Sequence, residues 1–307
     1  MPMPSVTSST RPFGAVLTAM VTPMTSDGAV DLAAAAALAR HLVDGGHDGL
    51  VLNGTTGEAP TTHAPEKAEL VAAVVEAVGD RAYVVAGAGS NDTAHAVRMA
   101  EQAAEAGAHG LLVVSPYYSR PSQPGVVAHI SAVADATDLP VMLYDVPGRA
   151  GVRMAPQTID ALAAHDRVVA MKDATGDVFA ASGAAQRTGL AWYCGDDGLF
   201  LPFLAHGGAG VVGVASHVVG AQFAALVRAW DAGDHAEALR LFRSVTPAIE
   251  AINGAGFQAV YAKAALEILG LLANRAVRLP YVPAPDEAVD DIRAGLRAAG
   301  LLDAALA

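Results

Sequence analysis

The stretch VVAMKDATG, residues 168–176, indicates the fold. An apolar run, VVAM, is followed by a lysine and then by a polar turn, DATG. A strand that is apolar throughout, rather than alternating apolar and polar, is typical of a parallel sheet covered by helices. The chain contains only three lysines, so the one that ends this strand, Lys172, calls for a chemical reason.

Similar short apolar runs recur along the chain, with helix-like segments between them. In one such segment Pro65 marks the start and Gly79 the end, as expected for a helix. Eight strands that alternate with helices predict a TIM (β/α)8 barrel, and a doubly wound parallel sheet is the alternative. We expect the strands near residues 15–21, 49–53, 83–87, 110–115, 140–144, 168–172, 191–194 and 210–214.

The chain divides into three parts. Residues 1–10 lack the basic and apolar regions of a secretory signal, and we expect a short disordered tail. Residues 11–233 contain the predicted barrel, and residues 234–307 predict three further helices, a C-terminal helical domain. An uncharged run at 198–227 contains histidines and a glycine cluster, so we expect helix, strand and helix there rather than a membrane span.

Composition limits the possible partners. The formal net charge of −12 argues against binding to nucleic acid or to an anionic membrane, and it favours a small-molecule partner. The single cysteine, Cys194, excludes an intrachain disulfide and suits a reducing compartment, so we expect a cytoplasmic protein. The ten histidines show no HxH or HExxH spacing, which disfavours a metal-dependent aldolase.

In a TIM barrel the active site lies at the C-terminal ends of the strands, where Lys172 is placed. Desolvation favours the neutral amine of a lysine, which can attack a ketone and form a Schiff base. The alternative is a structural ion pair with Asp173 or Asp145. Tyr144 ends the preceding strand, where its hydroxyl could relay protons, although packing alone is the alternative role.

Other loops carry weaker signals. The turn GTTG, residues 54–57, can present N–H groups and hydroxyls to a carboxylate, or be a plain turn. Arg149 in VPGRAG suits bidentate carboxylate binding, or is a surface arginine. PYYSRP, residues 116–121, places two aromatics in a loop that could also serve an interface. The GxGxxG at 208–213 leads into a strand, so it lacks the context of a dinucleotide site; phosphate binding is the competing possibility.

Together GTTGE, PYYSRP, YDVPGRAG, KDATG and GDD, in this order, resemble the pyruvate-dependent class I aldolase family that includes dihydrodipicolinate synthase and N-acetylneuraminate lyase. The resemblance runs from about Gly14 to the C-terminal helices and includes the late RLPYVP segment. It implies a TIM barrel lyase without metal or organic cofactor. It also implies a homotetramer built from two tight dimers.

The resemblance assigns catalytic roles to four residues. Lys172 corresponds to the lysine that condenses with C2 of pyruvate. Tyr144 corresponds to the general acid/base, joined to Thr55 and Tyr118 in a proton relay. In the family, the tyrosine that matches Tyr118 reaches in from a neighbouring subunit.

Four further residues are implied to bind substrate. Thr56, together with the threonine before it, matches the positions that hold the pyruvate carboxylate. Gly195 and Val212 match residues that line the pocket. Arg149 matches the arginine that dihydrodipicolinate synthases use for the carboxylate of L-aspartate semialdehyde.

By this resemblance the chain condenses pyruvate with L-aspartate 4-semialdehyde to 4-hydroxy-tetrahydrodipicolinate, for lysine and diaminopimelate biosynthesis. The arginine in VPGRAG favours this reaction over sialic acid cleavage. A catabolic 2-keto-acid aldolase or dehydratase that uses another aldehyde is the nearest alternative, and a catalytically silent binding barrel is the third. Asp145, where Asn is common, and Ala59, where Ser is common, leave the substrate detail open.

Feedback inhibition by L-lysine is a separate question. Lysine-inhibited relatives typically carry a histidine and a glutamate at the positions of Ala64 and His95, and here Lys67 lies nearby in the sequence. Asn91 and Tyr117 are kept. A cationic ligand that faces Lys67 without the glutamate should bind poorly, so we expect weak or absent inhibition.

Overall fold

A closed barrel forms the centre of the molecule. The computed structural model describes residues 10–254 and 256–302. In this part of the chain eight parallel strands pair in sequence order, and the last pairs with the first. The predicted TIM (β/α)8 barrel is confirmed, and the doubly wound sheet is excluded. The predicted disordered tail lies outside the described residues except for Thr10.

The strands lie within two residues of their predicted bounds. Several of them, such as the first two and the last, are buried at every position, because side chains point alternately into the barrel and towards the surrounding helices. The strands are β1 (Val16–Ala19), β2 (Gly49–Leu52), β3 (Tyr83–Gly87), β4 (Gly110–Val114), β5 (Val141–Asp145), β6 (Val168–Asp173), β7 (Ala191–Cys194) and β8 (Gly210–Gly213).

Helices follow each strand and cover the outside of the barrel. Aspartate caps begin several of them; the Asp31 carboxylate, for example, accepts a hydrogen bond from the backbone N–H of Ala34. A 3-10 turn at Asp197–Leu199 precedes the eighth helix. The helices are α1 (Leu32–Asp44), α2 (Ala64–Val78), α3 (Thr93–Glu105), α4 (Gln123–Asp135), α5 (Pro147–Ala150), α6 (Pro156–Ala163), α7 (Val178–Thr188), α8 (Phe200–Ala205), α9 (Ser216–Asp231), α10 (His235–Ile252), α11 (Gln258–Ile268) and α12 (Asp286–Ala298).

The uncharged run at 198–227 forms α8, β8 and the first part of α9, in agreement with the helix, strand and helix predicted. In the described part of the chain, no helix is both long enough and apolar enough to cross a membrane.

The glycines of the GxGxxG motif at 208–213 are explained by close packing. A Cβ at Gly210 would lie 2.0 Å from the carbonyl oxygen of Ala15, and one at Gly213 would lie 2.2 Å from a carboxylate oxygen of Asp197.

The last three helices pack beside the barrel. Helix α10 lies against α9 and α12, and α11 contacts α9, α10 and α12. The predicted boundary between residues 233 and 234 falls in the turn that separates α9 from α10. The division into a barrel domain and a helical domain stays a prediction.

A buried ion pair joins the loop after β2 to α11. Glu58 is 0% exposed and Lys263 is 1% exposed. The Lys263 ammonium donates to one oxygen of Glu58 and, at 2.7 Å, to the carbonyl oxygen of Ala276. The second oxygen of Glu58 accepts the backbone N–H of Arg278 at 3.0 Å. Burial lowers the pKa of Lys263, and the adjacent carboxylate opposes this effect. The C-terminal region therefore holds the GTTGE loop in place.

We expect Lys263→Met to lower the free energy of unfolding by about 3–5 kcal/mol, because Glu58 would be left buried without its partner. Urea denaturation at neutral pH measures the loss. The double variant Glu58→Gln/Lys263→Met buries no charge and should recover at least half of it. A loss no larger than that for a surface ion pair, about 0–1 kcal/mol, would contradict the prediction.

Candidate active site

A cavity of about 710 Å³ opens at the C-terminal ends of the strands. The loops after β2, β3, β4 and β5 form most of its wall, and Tyr281 from the C-terminal region completes it. Four of the predicted site residues line the cavity: Thr55, Tyr118, Tyr144 and Arg149. The other four lie outside its immediate wall: Thr56, Lys172, Gly195 and Val212.

Lys172 and Tyr144 lie side by side. They are register partners on β6 and β5, and both are buried. The Lys172 ammonium nitrogen lies 4.5 Å from the centroid of the Tyr144 ring, which itself faces the cavity. The lysine therefore lies directly behind a residue of the cavity wall.

The alternative of a structural ion pair for Lys172 is not observed. Among the described residues, no carboxylate forms an ion pair with its ammonium group. Asp145 and Asp173 are the next residues on the same two strands, and they are register partners of each other. Because successive side chains of a strand point to opposite faces, both carboxylates face the helix layer and not the lysine.

The GTTGE loop has an unusual backbone. Asn53, which precedes the loop, and Glu58, its last residue, have positive φ values of 55° and 57°. The carbonyl oxygen of Thr55 accepts the backbone N–H of Glu58 at 3.1 Å. The Gly57 carbonyl oxygen accepts the Thr22 hydroxyl at 2.7 Å. Strained backbone of this kind persists only where the surroundings fix it, and here it presents Thr55 to the cavity.

The loop after β4 presents Tyr118 at the rim of the cavity. Its φ is 73°, that of Arg120 is 49°, and the Tyr118 side chain is 88% exposed. Within this single chain, as far as it is described, no hydrogen bond joins the hydroxyls of Tyr118, Tyr144 and Thr55. The structure thus brings the three residues to one cavity without connecting them as a relay.

Arg149 lies on the short helix α5, with its side chain exposed to the cavity. Its guanidinium carbon lies 5.4 Å from the centroid of the Phe257 ring. Phe257 in turn stacks on Tyr281, with ring centroids 3.9 Å apart. Sequence analysis did not identify this pair. Tyr281 belongs to the RLPYVP segment, but no local pattern connects it to Arg149.

Gly195 follows β7, the strand next to the one that carries Lys172, and Val212 lies in β8. The Gly195 backbone N–H donates to the Asp173 carbonyl oxygen at 2.7 Å, and a Cβ at Gly195 would lie only 2.8 Å from that oxygen. Val212 is fully buried in β8. Thr56 is buried too. The substrate contacts implied for these three residues stay predictions.

Lys67 and His95 also line the cavity. The Lys67 ammonium donates to the carbonyl oxygens of Ala59 at 2.8 Å and Thr62 at 3.1 Å. Burial lowers the pKa of Lys67, while Glu66 raises it by a smaller amount. This part of the wall is therefore already occupied by an ammonium group of the protein.

Asp145 lies on the opposite side of β5, in a second cavity of about 680 Å³ between the barrel and helices α6 and α7. Its two oxygens accept the backbone N–H of Met154 at 3.3 and 3.4 Å. Burial and, to a smaller extent, the neighbouring Asp173 raise the pKa of Asp145 to about 7, against the lowering effects of the Met154 N–H and Arg153. Asp173 is held by the Trp192 indole N–H at 2.9 Å.

Comparison with known proteins supports a single family. The sequence model of the dihydrodipicolinate synthetase family matches residues 12–299. The 4-hydroxy-tetrahydrodipicolinate synthase of Kineococcus radiotolerans is 53% identical over 306 residues, which cover 100% of this chain and 99% of that protein. The enzyme of the same name from Bifidobacterium longum is 55% identical over 291 residues, 95% of this chain and 96% of that protein. The crystal structure of DHDPS from Cyanidioschyzon merolae with lysine bound superposes with a TM-score of 0.91 at 40% identity, covering 94% of this chain and 99% of that one.

We expect the protein to lose stability as pH rises towards 7, because of Asp145. The unfolded carboxyl loses its proton near pH 3.8, whereas the folded one keeps it until about pH 7. The contribution of Asp145 to the stability of the fold is therefore fully present below about pH 4, and it is lost as the pH rises through about 7. Asp145→Asn should remove this loss and stabilise the protein at pH 8 by about 2–4 kcal/mol. Melting temperatures of both proteins at pH 5 and pH 8 test this; an equal difference at the two pH values would contradict it.

Proposed function

The chain belongs to the dihydrodipicolinate synthetase family, and from this we infer that it condenses pyruvate with L-aspartate 4-semialdehyde to give 4-hydroxy-tetrahydrodipicolinate. It is a lyase of the class I aldolase type and serves lysine and diaminopimelate biosynthesis. The observation that carries the chemistry is the Lys172–Tyr144 pair, buried together at the end of two adjacent strands, with Tyr144 in the cavity wall and Lys172 behind it.

Lys172 is the proposed nucleophile. Its neutral amine attacks C2 of pyruvate, and loss of one water gives an imine. The protonated imine accepts the electron pair that is left when C3 loses a proton, which gives an enamine. The enamine carbon bonds to the aldehyde carbon of the second substrate. The amino group of that substrate then attacks C2, closes the ring and releases the Lys172 amine.

Tyr144 is the proposed proton carrier. The contact of its ring with the Lys172 ammonium and its position in the cavity wall support this role, in which the hydroxyl exchanges protons with the carbon atoms bound to the lysine. Thr55 lines the same cavity and is proposed to extend the relay, with Thr56 beside it for the pyruvate carboxylate. Arg149 is proposed to bind the carboxylate of L-aspartate semialdehyde, since its guanidinium faces the cavity and has no carboxylate partner among residues 10–254 and 256–302.

We propose a homotetramer, a dimer of dimers, in which Tyr118 of a second copy completes the relay. Tyr118 is highly exposed and its backbone is strained. No packing within a single chain, as far as it is described, explains these two features, which supports a role of Tyr118 at a contact with another copy. The buried free thiol of Cys194 is in keeping with a cytoplasmic location.

Lys172→Ala should abolish turnover in a coupled assay that follows NADPH oxidation with pyruvate, L-aspartate semialdehyde and excess dihydrodipicolinate reductase. Tyr144→Phe should lower kcat by about 10²–10⁴-fold, the usual contribution of general acid–base catalysis. Borohydride reduction with pyruvate should place a covalent adduct on Lys172, which is readily mapped since the chain has three lysines.

Lys67→Ala is the matched control, because Lys67 is in the same cavity but has no role in the imine chemistry. It should keep the pyruvate adduct on Lys172. If pyruvate is trapped on Lys172 but no turnover is observed, the Schiff-base mechanism stands and the second substrate is another aldehyde, as in a catabolic aldolase. Absence of an adduct would instead favour a binding barrel.

L-Lysine should inhibit weakly or not at all. Its ammonium would meet that of Lys67, and the cavity has His95 rather than a carboxylate beside it. The variant Lys67→Ala/His95→Glu should increase sensitivity by about tenfold or more, since reversing charge in a partly buried site exceeds about 1.4 kcal/mol. Initial rates measured against lysine concentration test this, and half-inhibition of the unaltered enzyme by submillimolar lysine would contradict it.

A further inference from the structure

Phe257 and Tyr281 form an aromatic pair that connects the C-terminal region to the cavity. Phe257 immediately precedes α11, and Tyr281 lies in the segment between α11 and α12. Their rings are nearly parallel, with an interplanar angle of 10° and centroids 3.9 Å apart. The Arg149 guanidinium lies over the Phe257 ring, and both Arg149 and Tyr281 line the cavity.

Helix α5 alone gives Arg149 little support. The helix has four residues, and the Arg149 side chain is exposed. In the described part of the chain, the Arg149 side chain forms no hydrogen bond or ion pair, and its cation–π contact is with the Phe257 ring. A long flexible side chain loses much conformational freedom when it binds a ligand, so a fixed starting position improves affinity.

The contact with Phe257 pairs the guanidinium with no acidic group. The attraction acts between the cation and the face of the aromatic ring, whereas the five N–H donors of arginine lie in the plane of the guanidinium and point outwards. A phenyl ring can therefore hold the arginine without competing for a carboxylate. An acidic partner would occupy the same donors.

We propose that Phe257, supported by Tyr281, is a positioning residue that holds Arg149 for the carboxylate of the second substrate. The proposal rests on the function inferred above. It makes the C-terminal helical region part of semialdehyde recognition, whereas imine formation with pyruvate depends on the barrel strands. Phe257 acts through Arg149 and has no role in bond making.

The test measures KM for each substrate in Phe257→Leu and Tyr281→Leu. We expect KM for L-aspartate semialdehyde to rise about two- to fivefold, equivalent to about 0.5–1 kcal/mol, the contribution of an exposed cation–π contact. KM for pyruvate and borohydride trapping of pyruvate should change by less than twofold. Phe257→Tyr and Tyr281→Phe keep the aromatic rings and should restore the original KM. Val282→Ala, next to Tyr281 but outside the cavity wall, is the matched control.

A double-mutant cycle separates positioning from a general effect on folding. In the Arg149→Gln background, Phe257→Leu should no longer raise KM for the semialdehyde, because its effect depends on the guanidinium. An equal rise in both backgrounds, or an equal rise in KM for both substrates, would overturn the proposal. If the unaltered enzyme traps pyruvate but does not turn over the semialdehyde, the inferred function fails, and this proposal falls with it.

Discussion

The two-residue period of β5 and β6 is the constraint on which the site depends. The parallel pairing of β5 with β6 makes Tyr144 a direct neighbour of Lys172, and Asp145 a direct neighbour of Asp173. Because adjacent side chains point to opposite faces, the amine and the phenol share one face and the two carboxylates the other. A shift of one residue that paired Lys172 with Asp145 would place a carboxylate beside the lysine, in position for an ion pair. The register therefore keeps the amine available for chemistry.

Lysines occupy special positions throughout this protein. Among 19 basic residues only three are lysines, and none is on the open surface: Lys172 and Lys263 are buried, and Lys67 is half-buried in the cavity wall. Arginines provide most of the described ion pairs. An ammonium group is compact and changes its pKa readily on burial, whereas a guanidinium remains charged. The scarcity of lysine in the sequence thus indicated a special environment for each of the three lysines, although a chemical role was predicted only for Lys172.

Local patterns predicted the barrel, since apolar runs and helix punctuation are properties of short segments. They placed the loops of Tyr144, Thr55, Tyr118 and Arg149 at one side of a parallel barrel, and the family resemblance then assigned the four residues to one site. They could not predict the pair Glu58–Lys263, whose members are 205 residues apart, nor the stacking of Arg149 on Phe257. Such contacts depend on how the C-terminal helices pack on the closed barrel, and no periodicity records that packing.

The C-terminal region supports the two halves of the site by different physical means. It holds the β2 loop through buried charge, with Glu58 bound by Lys263 and by the Arg278 backbone, and Arg278 paired with Glu66. It meets the β5 loop where the exposed Arg149 guanidinium lies over the Phe257 ring. Loss of a buried charge partner is costly, while an exposed cation–π contact contributes about 0.5–1 kcal/mol. The GTTGE loop is therefore held firmly, whereas Arg149, the residue proposed to bind the second substrate, is held weakly enough for substitutions outside the barrel to change its position.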